Sequence, residues 1–166
     1  MRKPIVGVIG PGEKARKADI EAAEELGRRI ADLGWVTLSG GRNSGVMEAA
    51  NRGAKARGGT TVGVLPTSKR EMISPYVDIP IITDMGNARN NINVLTSDVI
   101  IACGMGPGTV SEIALAIKAR KKVILVLASA SARKFFEELA HGLISFADSA
   151  EHAISLARKV IDNTLP

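Results

Sequence analysis

The sequence predicts an α/β domain in which a mostly parallel sheet carries helices on both faces. Short apolar runs rich in β-branched residues alternate with segments of amphipathic helical periodicity along the whole chain of 166 residues. The runs contain few polar positions, as is typical of parallel strands buried on both faces. No internal repeat, low-complexity tract or linker interrupts the alternation. We therefore expect residues 1–166 to form a single Rossmann-like domain.

The first half of the chain is predicted to hold four strands and three helices. The strands cover residues 4–9, 35–38, 60–65 and 79–82. An amphipathic helix follows the first strand and ends at Gly34, which suits a helix C-terminus. An alanine-rich helix to about Arg57 follows the second strand, and a polar helix is predicted over residues 85–96.

The alternation continues through the second half. Strands are predicted over residues 98–102, 122–127 and 143–146, the last of them at a sheet edge. One helix contains Glu112, a second runs over residues 132–141, and a third ends the chain. Asp148 is predicted to cap this last helix, because Glu151 follows three residues later as in a capping box.

A glycine-rich loop at residues 103–109 joins the strand over 98–102 to the helix that contains Glu112. Such a loop directs free backbone N–H groups and the positive end of a helix dipole at one point, which suits a phosphate or another oxyanion. Its glycines allow close approach of the backbone, and Thr109 can either cap the helix or donate its hydroxyl to the anion. The alternative is an ordinary glycine-rich turn followed by a first-turn carboxylate.

Two further glycine-rich loops are expected at the same edge of the sheet, at residues 10–12 and 40–45. In open parallel sheets, ligands bind outside the carboxyl ends of the strands, where the strand order changes direction. The first loop lacks the dinucleotide fingerprint G-x-G-x-x-G, and no glycine loop is followed by a Walker A lysine. The loops therefore favour a phosphate-binding crevice and disfavour ATP hydrolysis.

Composition narrows the choice of partner. The formal net charge of +5 fits an anionic ligand, but it fits an ordinary charged surface equally well. Aromatic residues make up only 3% of the chain, which disfavours an RNA-stacking surface. Nucleic-acid binding has no support beyond the charge, so we expect a phosphorylated small molecule instead.

The single cysteine, Cys103, excludes an internal disulfide and a multi-cysteine metal site. A small buried thiol is the commoner role for such a residue, and no metal site is expected. The chain begins without the apolar stretch of a signal peptide, and no apolar run is long enough to span a bilayer. We therefore expect a cytoplasmic protein without membrane contact.

Three motifs resemble the LONELY GUY superfamily of Rossmann-like proteins, and the resemblance covers nearly the whole chain. They are S-G-G-R-N-S-G-V-M at residues 39–47, N-A-R-N-N-I-N at 87–93 and G-M-G-P-G-T at 104–109, with Glu112 three residues further on. One branch of this superfamily consists of enzymes that cleave cytokinin nucleoside monophosphates, or AMP, into free base and ribose 5-phosphate. The other contains molybdenum cofactor carrier proteins, which bind the molybdopterin cofactor for storage or delivery.

The three motifs look more like the carrier branch. The enzyme motif P-G-G-x-G-T-x-x-E opens with Pro-Gly where this chain has Gly104 and Met105, and Ser111 stands where the enzymes commonly carry a first Glu. Arg89 and Glu112, however, match the catalytic pair of the enzymes. The resemblance therefore implies a carrier of molybdenum cofactor, with hydrolysis of an AMP-like nucleotide as the alternative.

The alternative gives the matching pair a chemical role. Glu112 would orient water or stabilise a developing oxocarbenium ion, and Arg89 would bind phosphate. Arg89 can instead be a surface residue of a polar helix. The neighbouring asparagines are poor helix formers, and their amides suit the edge of a pterin or a ribose.

The candidate ligand-binding residues belong to the glycine loops or to the three motifs. They are Gly10, Gly12, Ser39, Gly40, Gly41, Arg42, Asn43, Arg89, Asn90, Asn93, Gly104, Met105, Gly106, Pro107, Gly108, Thr109 and Glu112. Met47 and Met105 either lie beside a flat heterocycle or simply pack. The resemblance also implies apo molybdoenzymes as acceptors and a homo-oligomer, either a dimer or a tetramer.

Overall fold

The computed structural model describes residues 2–164, which form a sheet of seven parallel strands with helices on both faces. The strands are β1 Ile5–Ile9, β2 Val36–Ser39, β3 Thr60–Leu65, β4 Ile79–Ile82, β5 Val99–Cys103, β6 Val123–Val126 and β7 Ile144–Ala147. Their order across the sheet is β4-β3-β2-β1-β5-β6-β7. The order changes direction between β1 and β5, because the chain builds outwards from β1 to β4 and then returns to the other side of β1.

Helices cover both faces of this sheet. They are α1 Lys17–Asp32, α2 Gly45–Lys55, α3 Asn90–Thr96, α4 Pro107–Lys118, α5 Ala130–Ala140 and α6 Ala150–Asp162, and two short 3-10 turns cover Arg70–Met72 and Gly86–Arg89. α1, α2 and α6 pack on one face, and α3, α4 and α5 pack on the other. The predicted α/β, Rossmann-like fold is confirmed.

Each face of the sheet has its own apolar core, and β5 contributes to both. Val99, Ile101 and Cys103 point into the core shared with α1, α2 and α6, whereas Ile100 and Ala102 point into the core under α3, α4 and α5. All five side chains are buried. The loop that follows β5 is therefore attached to a strand whose side chains are all buried.

Two predicted elements differ in part from the structure. Residues 85–96 were predicted as one helix; the segment begins at Gly86, whose φ is +55°, as the 3-10 turn Gly86–Arg89 and continues directly as α3. Asp148 does not cap α6. Ser149 is the N-cap, and its hydroxyl accepts a hydrogen bond of 3.1 Å from the N–H of His152. Asp148 instead pairs with Arg133 at 2.6 Å.

Candidate ligand-binding site

A cleft of about 450 Å³ lies at the carboxyl ends of β1, β2 and β5, where the strand order changes direction. Open parallel sheets bind their ligands at this position. Most of the predicted site residues line it, namely Gly10, Gly12, Gly40, Arg42, Arg89, Asn90, Met105, Gly106, Pro107, Gly108, Thr109 and Glu112. The fold therefore gathers residues from all three glycine loops and from the turn before α3 around one space.

The N-terminus of α4 opens into this cleft. Its N-cap is Gly106, which has extended backbone and no side chain to cap the helix, and Pro107 is the first helical residue. The first-turn N–H groups of such a helix carry a partial positive charge that suits an oxyanion. Thr109 lies within this first turn and does not cap the helix. Its side chain is 2% exposed, and its hydroxyl has no hydrogen-bond partner among residues 2–164.

Arg89 is a buried residue with 9% of its surface exposed, so the alternative of a surface arginine is wrong. Its guanidinium lies against Gly40 so closely that a Cβ atom on Gly40 would be 2.6 Å from Nη1. Its Nε has no hydrogen-bond partner within the described part of the chain. Burial lowers the pKa of Arg89; the charge of Glu112 opposes this shift, and the charge of Arg42 adds to it. A buried cation in this state is well suited to an anionic ligand.

Glu112 lies in the second turn of α4 and is also buried. Its carboxylate accepts a hydrogen bond of 2.8 Å from Nδ2 of Asn93. Burial raises the pKa of Glu112, while the hydrogen bond from Asn93 and the charge of Arg89 oppose this shift. The predicted pair of Arg89 and Glu112 therefore shares one cleft and interacts through charge.

Ser111 connects α3 to the start of α4. Nδ2 of Asn90 donates to the Ser111 hydroxyl at 3.0 Å, and this hydroxyl donates to the carbonyl of Gly108 at 2.7 Å. The two bonds fix the amide of Asn90, which lines the cleft. The residue that departs from the enzyme motif thus orients a neighbouring side chain through its hydroxyl.

Three predicted residues at the end of β2 and in the loop after it lie behind the cleft or turn away from it. The Ser39 hydroxyl accepts from the N–H of Gly41 and donates to Asn51, each at 3.1 Å. Gly41 has a φ of +72° and packs against the backbone of β3. Asn43 is exposed, and its backbone N–H donates to the carbonyl of Met72. These residues shape the loop without lining the cleft.

Asn93 and Gly104 also support the site from behind. Asn93 is buried and positions Glu112 through the hydrogen bond described above. Gly104 has a φ of +76°, and a Cβ atom there would lie 2.5 Å from the Asp19 carboxylate. A side chain at Gly104 would therefore displace the loop that precedes α4.

Sequence reasoning missed part of the lining. The cleft is also lined by Ile9, Pro11, Glu13, Lys14, Met47 and Asn87. Met47 lines the cleft and its sulfur packs against Gly40. Lys14 was not predicted, although a lysine that follows a glycine loop is a recognisable signal of an anion site.

Cys103 is fully buried in the core beneath the cleft, and this burial raises the pKa of its thiol far above the ordinary value. It is the buried, inert thiol that the sequence favoured. Residues 2–164 contain no cluster of three or more His, Cys, Asp or Glu side chains that could hold a metal ion. Within the same residues, every helix is too short or too polar to cross a membrane.

Comparison with known proteins identifies the class to which this fold and cleft belong. The SLOG cluster4 family matches residues 3–154, and the chain belongs to this family. It is similar to the molybdenum cofactor binding protein from the phototrophic bacterium Rippkaea orientalis, with 52% identity and a TM-score of 0.95 over 97% of this chain and 99% of that one. It is also similar to the Moco carrier protein from Chlamydomonas reinhardtii, with 48% identity and a TM-score of 0.92 over 98% and 99% of the two chains.

Similarity to the enzyme branch is more limited. The cytokinin riboside 5'-monophosphate phosphoribohydrolase of Mycobacterium tuberculosis is 38% identical over 96 residues, which are 57% of this chain and 51% of that protein. The match thus spans about half of the enzyme. The resemblance to the LONELY GUY superfamily, and within it to molybdenum cofactor carrier proteins, is confirmed.

Proposed function

We propose that the protein binds molybdenum cofactor and carries it, for storage or for delivery to apo molybdoenzymes. The main support is a set of buried hydrogen-bond donors around one cleft, Thr109 Oγ1, Arg89 Nε and Arg42 Nε, that have no partner among residues 2–164. Buried donors in folded proteins are normally satisfied, so this set favours an anionic ligand. The near-full-length similarity to molybdenum cofactor binding proteins supports the choice of ligand.

The residues of the cleft fit a ligand that combines a phosphate with a pterin. The N-terminus of α4 and Thr109 would hold the phosphate. Asn87 and Asn90 offer amide donors and acceptors to the pterin edge, and Met47 and Met105 offer apolar contact with a flat ring. The volume of about 450 Å³ lies in the range of small-molecule pockets.

Hydrolysis of a nucleoside 5'-monophosphate such as AMP is the second candidate, because Arg89 and Glu112 share the cleft. In that reaction water would attack the anomeric carbon of the ribose, and the base would leave with the bonding electrons and accept a proton. Three residues disfavour efficient hydrolysis. Gly104 and Met105 alter the start of the enzyme motif, and Ser111 replaces a carboxylate in it. Loss of one electrostatic group at an active site can lower the rate by about 100- to 1000-fold.

The two candidates are separated by one pair of assays on the purified protein. The first follows transfer of molybdenum cofactor to an apo molybdoenzyme, and the second follows ribose 5-phosphate after incubation with AMP. We expect cofactor transfer and little release of free base. Release of base that disappears in Glu112→Gln, without cofactor transfer, would establish the hydrolase instead. Delivery to molybdoenzymes and a cytoplasmic location are predictions of the same proposal.

We further propose that the protein is a homo-oligomer, at least a dimer, that associates through the sheet face at β4. Ile79 and Ile81 project from this edge strand and are 50% and 39% exposed. The register of the sheet places Ile79 in one row with Val62, Leu38 and the buried Ile100, so both isoleucines belong to the face that carries α3 and α4. Parallel sheets are usually covered on both faces, and a second copy of the chain would supply the missing cover.

A further inference from the structure

The unpartnered donors of the cleft lie above two different strands. Thr109 belongs to α4, which follows β5, whereas the guanidinium of Arg89 lies against Gly40 at the end of β2. β1 separates β2 from β5 in the sheet. Neighbouring strands are about 4.8 Å apart, so the ends of β2 and β5 are separated by roughly 10 Å. One tetrahedral oxyanion does not span this distance.

Four helices begin near the cleft. α3 continues directly from the 3-10 turn Gly86–Arg89, and among the other three α4 starts at an N-cap glycine without a side-chain cap. The N–H of Val46 in the first turn of α2 donates to the carbonyl of Pro11 at 3.0 Å. At the start of α1, the Asp19 carboxylate accepts hydrogen bonds from the backbone N–H and the guanidinium of Arg16, the N-cap residue. The positive groups above β2 are therefore side chains, namely Arg42 and Arg89, and Lys14 lines the cleft from the loop after β1.

The charges of these arginines are poorly compensated within the described residues. Arg42 and Arg89 are close enough to repel each other, and each carries an Nε without a partner. Glu112 is the carboxylate that acts on Arg89, but its hydrogen bond goes to Asn93. Arg89 is buried and Arg42 is half-buried, so these two like charges are held at a cost in free energy, which a second anion between the two guanidinium groups would offset.

We propose that the cleft contains two separate anion subsites, one at the N-terminus of α4 with Thr109 and one at Arg42 and Arg89 beside Gly40, and that its ligand carries an anionic group at each end. This inference rests on the proposed function. For molybdenum cofactor, the phosphate would occupy the α4 subsite, and the dithiolene end that carries the oxo-metal group would lie towards the arginines. A ligand with a single phosphate would fill only half of the site.

Inorganic tungstate, a tetrahedral dianion with strong anomalous scattering, tests this arrangement. Equilibrium dialysis counts the ions bound per chain, and crystals soaked in tungstate locate them. Thr109→Val removes the hydroxyl at nearly constant volume, and Arg42→Met removes the guanidinium charge. Lys118→Met, at the exposed C-terminal end of α4, is the matched control.

We expect two tungstate ions per chain of the wild-type protein and of Lys118→Met. Thr109→Val should weaken only the ion at α4, and Arg42→Met only the ion beside Gly40, each by about tenfold or more, as for loss of a hydrogen bond to a charged group. One ion per chain, or two ions that both respond to each substitution, would overturn the inference. Absence of bound tungstate would overturn it as well.

Failure of the two-subsite inference is distinguishable from failure of the proposed function. Retention of the fluorescent oxidised pterin by the purified protein is measured in parallel for the same four proteins. Two tungstate ions without pterin binding would leave the subsites intact and contradict the cofactor. Pterin binding with a single tungstate ion would keep the cofactor and contradict the two subsites.

Discussion

At the scale of single residues, the protonation of Glu112 links the site to the stability of the fold. Burial raises its pKa in the folded protein above the ordinary value of 4.5, although Asn93 and Arg89 oppose the shift. A raised folded-state pKa contributes stability that is fully present below the unfolded pKa and is lost as the pH rises through the folded pKa. The contribution of Glu112 to the free energy of unfolding should therefore be smaller at neutral pH than under mildly acidic conditions.

Glu112→Gln should prevent the loss of stability that accompanies ionisation of Glu112. The glutamine amide stays neutral when buried, and its oxygen still accepts the hydrogen bond from Asn93. We expect the variant to be more stable than the wild type at pH 8, with the difference shrinking as the pH approaches 4.5. Urea unfolding across this range measures the effect. Glu137→Gln, on the exposed side of α5, should run parallel to the wild type. A constant difference for Glu112→Gln across the range would contradict the assignment.

Gly108 is predicted to serve the ligand and not the fold. A Cβ atom at this position would meet no atom within 4 Å, so Gly108→Val should leave stability nearly unchanged while its side chain occupies space in the cleft that Gly108 lines. We expect loss of inorganic phosphate binding in a calorimetric titration. Gly41→Ala is the contrasting variant, since its φ of +72° and its contact with Gly63 predict destabilisation by about 1–3 kcal/mol. Normal phosphate binding by Gly108→Val would show that the loop is not the anion cradle.

At the scale of elements, α6 begins after two adjacent residues, Asp148 and Ser149, that are both good N-cap residues, and only Ser149 caps the helix. Ser149 supplies the capping hydrogen bond, so Ser149→Ala should destabilise the protein by about 1 kcal/mol. Asp148→Ala removes only an ion pair with Arg133 in which the carboxylate is 81% exposed, and we expect an effect of a few tenths of a kcal/mol. Thermal unfolding of both variants compares them. The reverse order of effects would restore Asp148 as the cap.

The regular elements could be predicted because their signals are local. Apolar runs marked the strands, and β3 and β4 have the predicted bounds of residues 60–65 and 79–82. The 3-10 geometry of the first four residues of the predicted helix over 85–96 could not be predicted, because the apolar pattern does not distinguish a 3-10 turn from an α-helix. The identity of the α6 cap could not be predicted either, since Asp148 and Ser149 are both good capping residues; in the structure Ser149 caps the helix and Asp148 pairs with Arg133.

The position of the site could be predicted, because the carboxyl ends of parallel strands lie at the same edge of the sheet. Gly10, Gly40 and Gly106 follow three strands of one parallel sheet, so their loops had to meet at one edge. Side-chain direction was not predictable by this argument. Asn43 turns outwards and its amide donates to the carbonyl of Glu71, a contact distant in sequence, while Lys14 lines the cleft from the turn before α1.

At the scale of the whole molecule, the exposed face of β4 is predicted to be the interface between copies of the chain. Pro80 stands in the middle of this edge strand and lacks an N–H donor, which disfavours extension of the sheet by a neighbouring strand. Association is therefore expected through the isoleucine side chains of the face. Leu95 on α3, also exposed, lies on the same side of the sheet and can enlarge the apolar surface.

Ile81→Lys places a charge in this surface and should convert the oligomer to a smaller species. Burial of an unpaired charge costs several kcal/mol, so we expect the dissociation constant to rise by at least about 100-fold. Sedimentation velocity over a range of protein concentrations measures it, and circular dichroism verifies that the fold persists. Phe135→Lys, at an exposed aromatic residue of α5, is the control and should leave the mass unchanged. Dissociation by Phe135→Lys but not by Ile81→Lys would move the interface to α5, and a monomeric wild-type protein would contradict the oligomer itself.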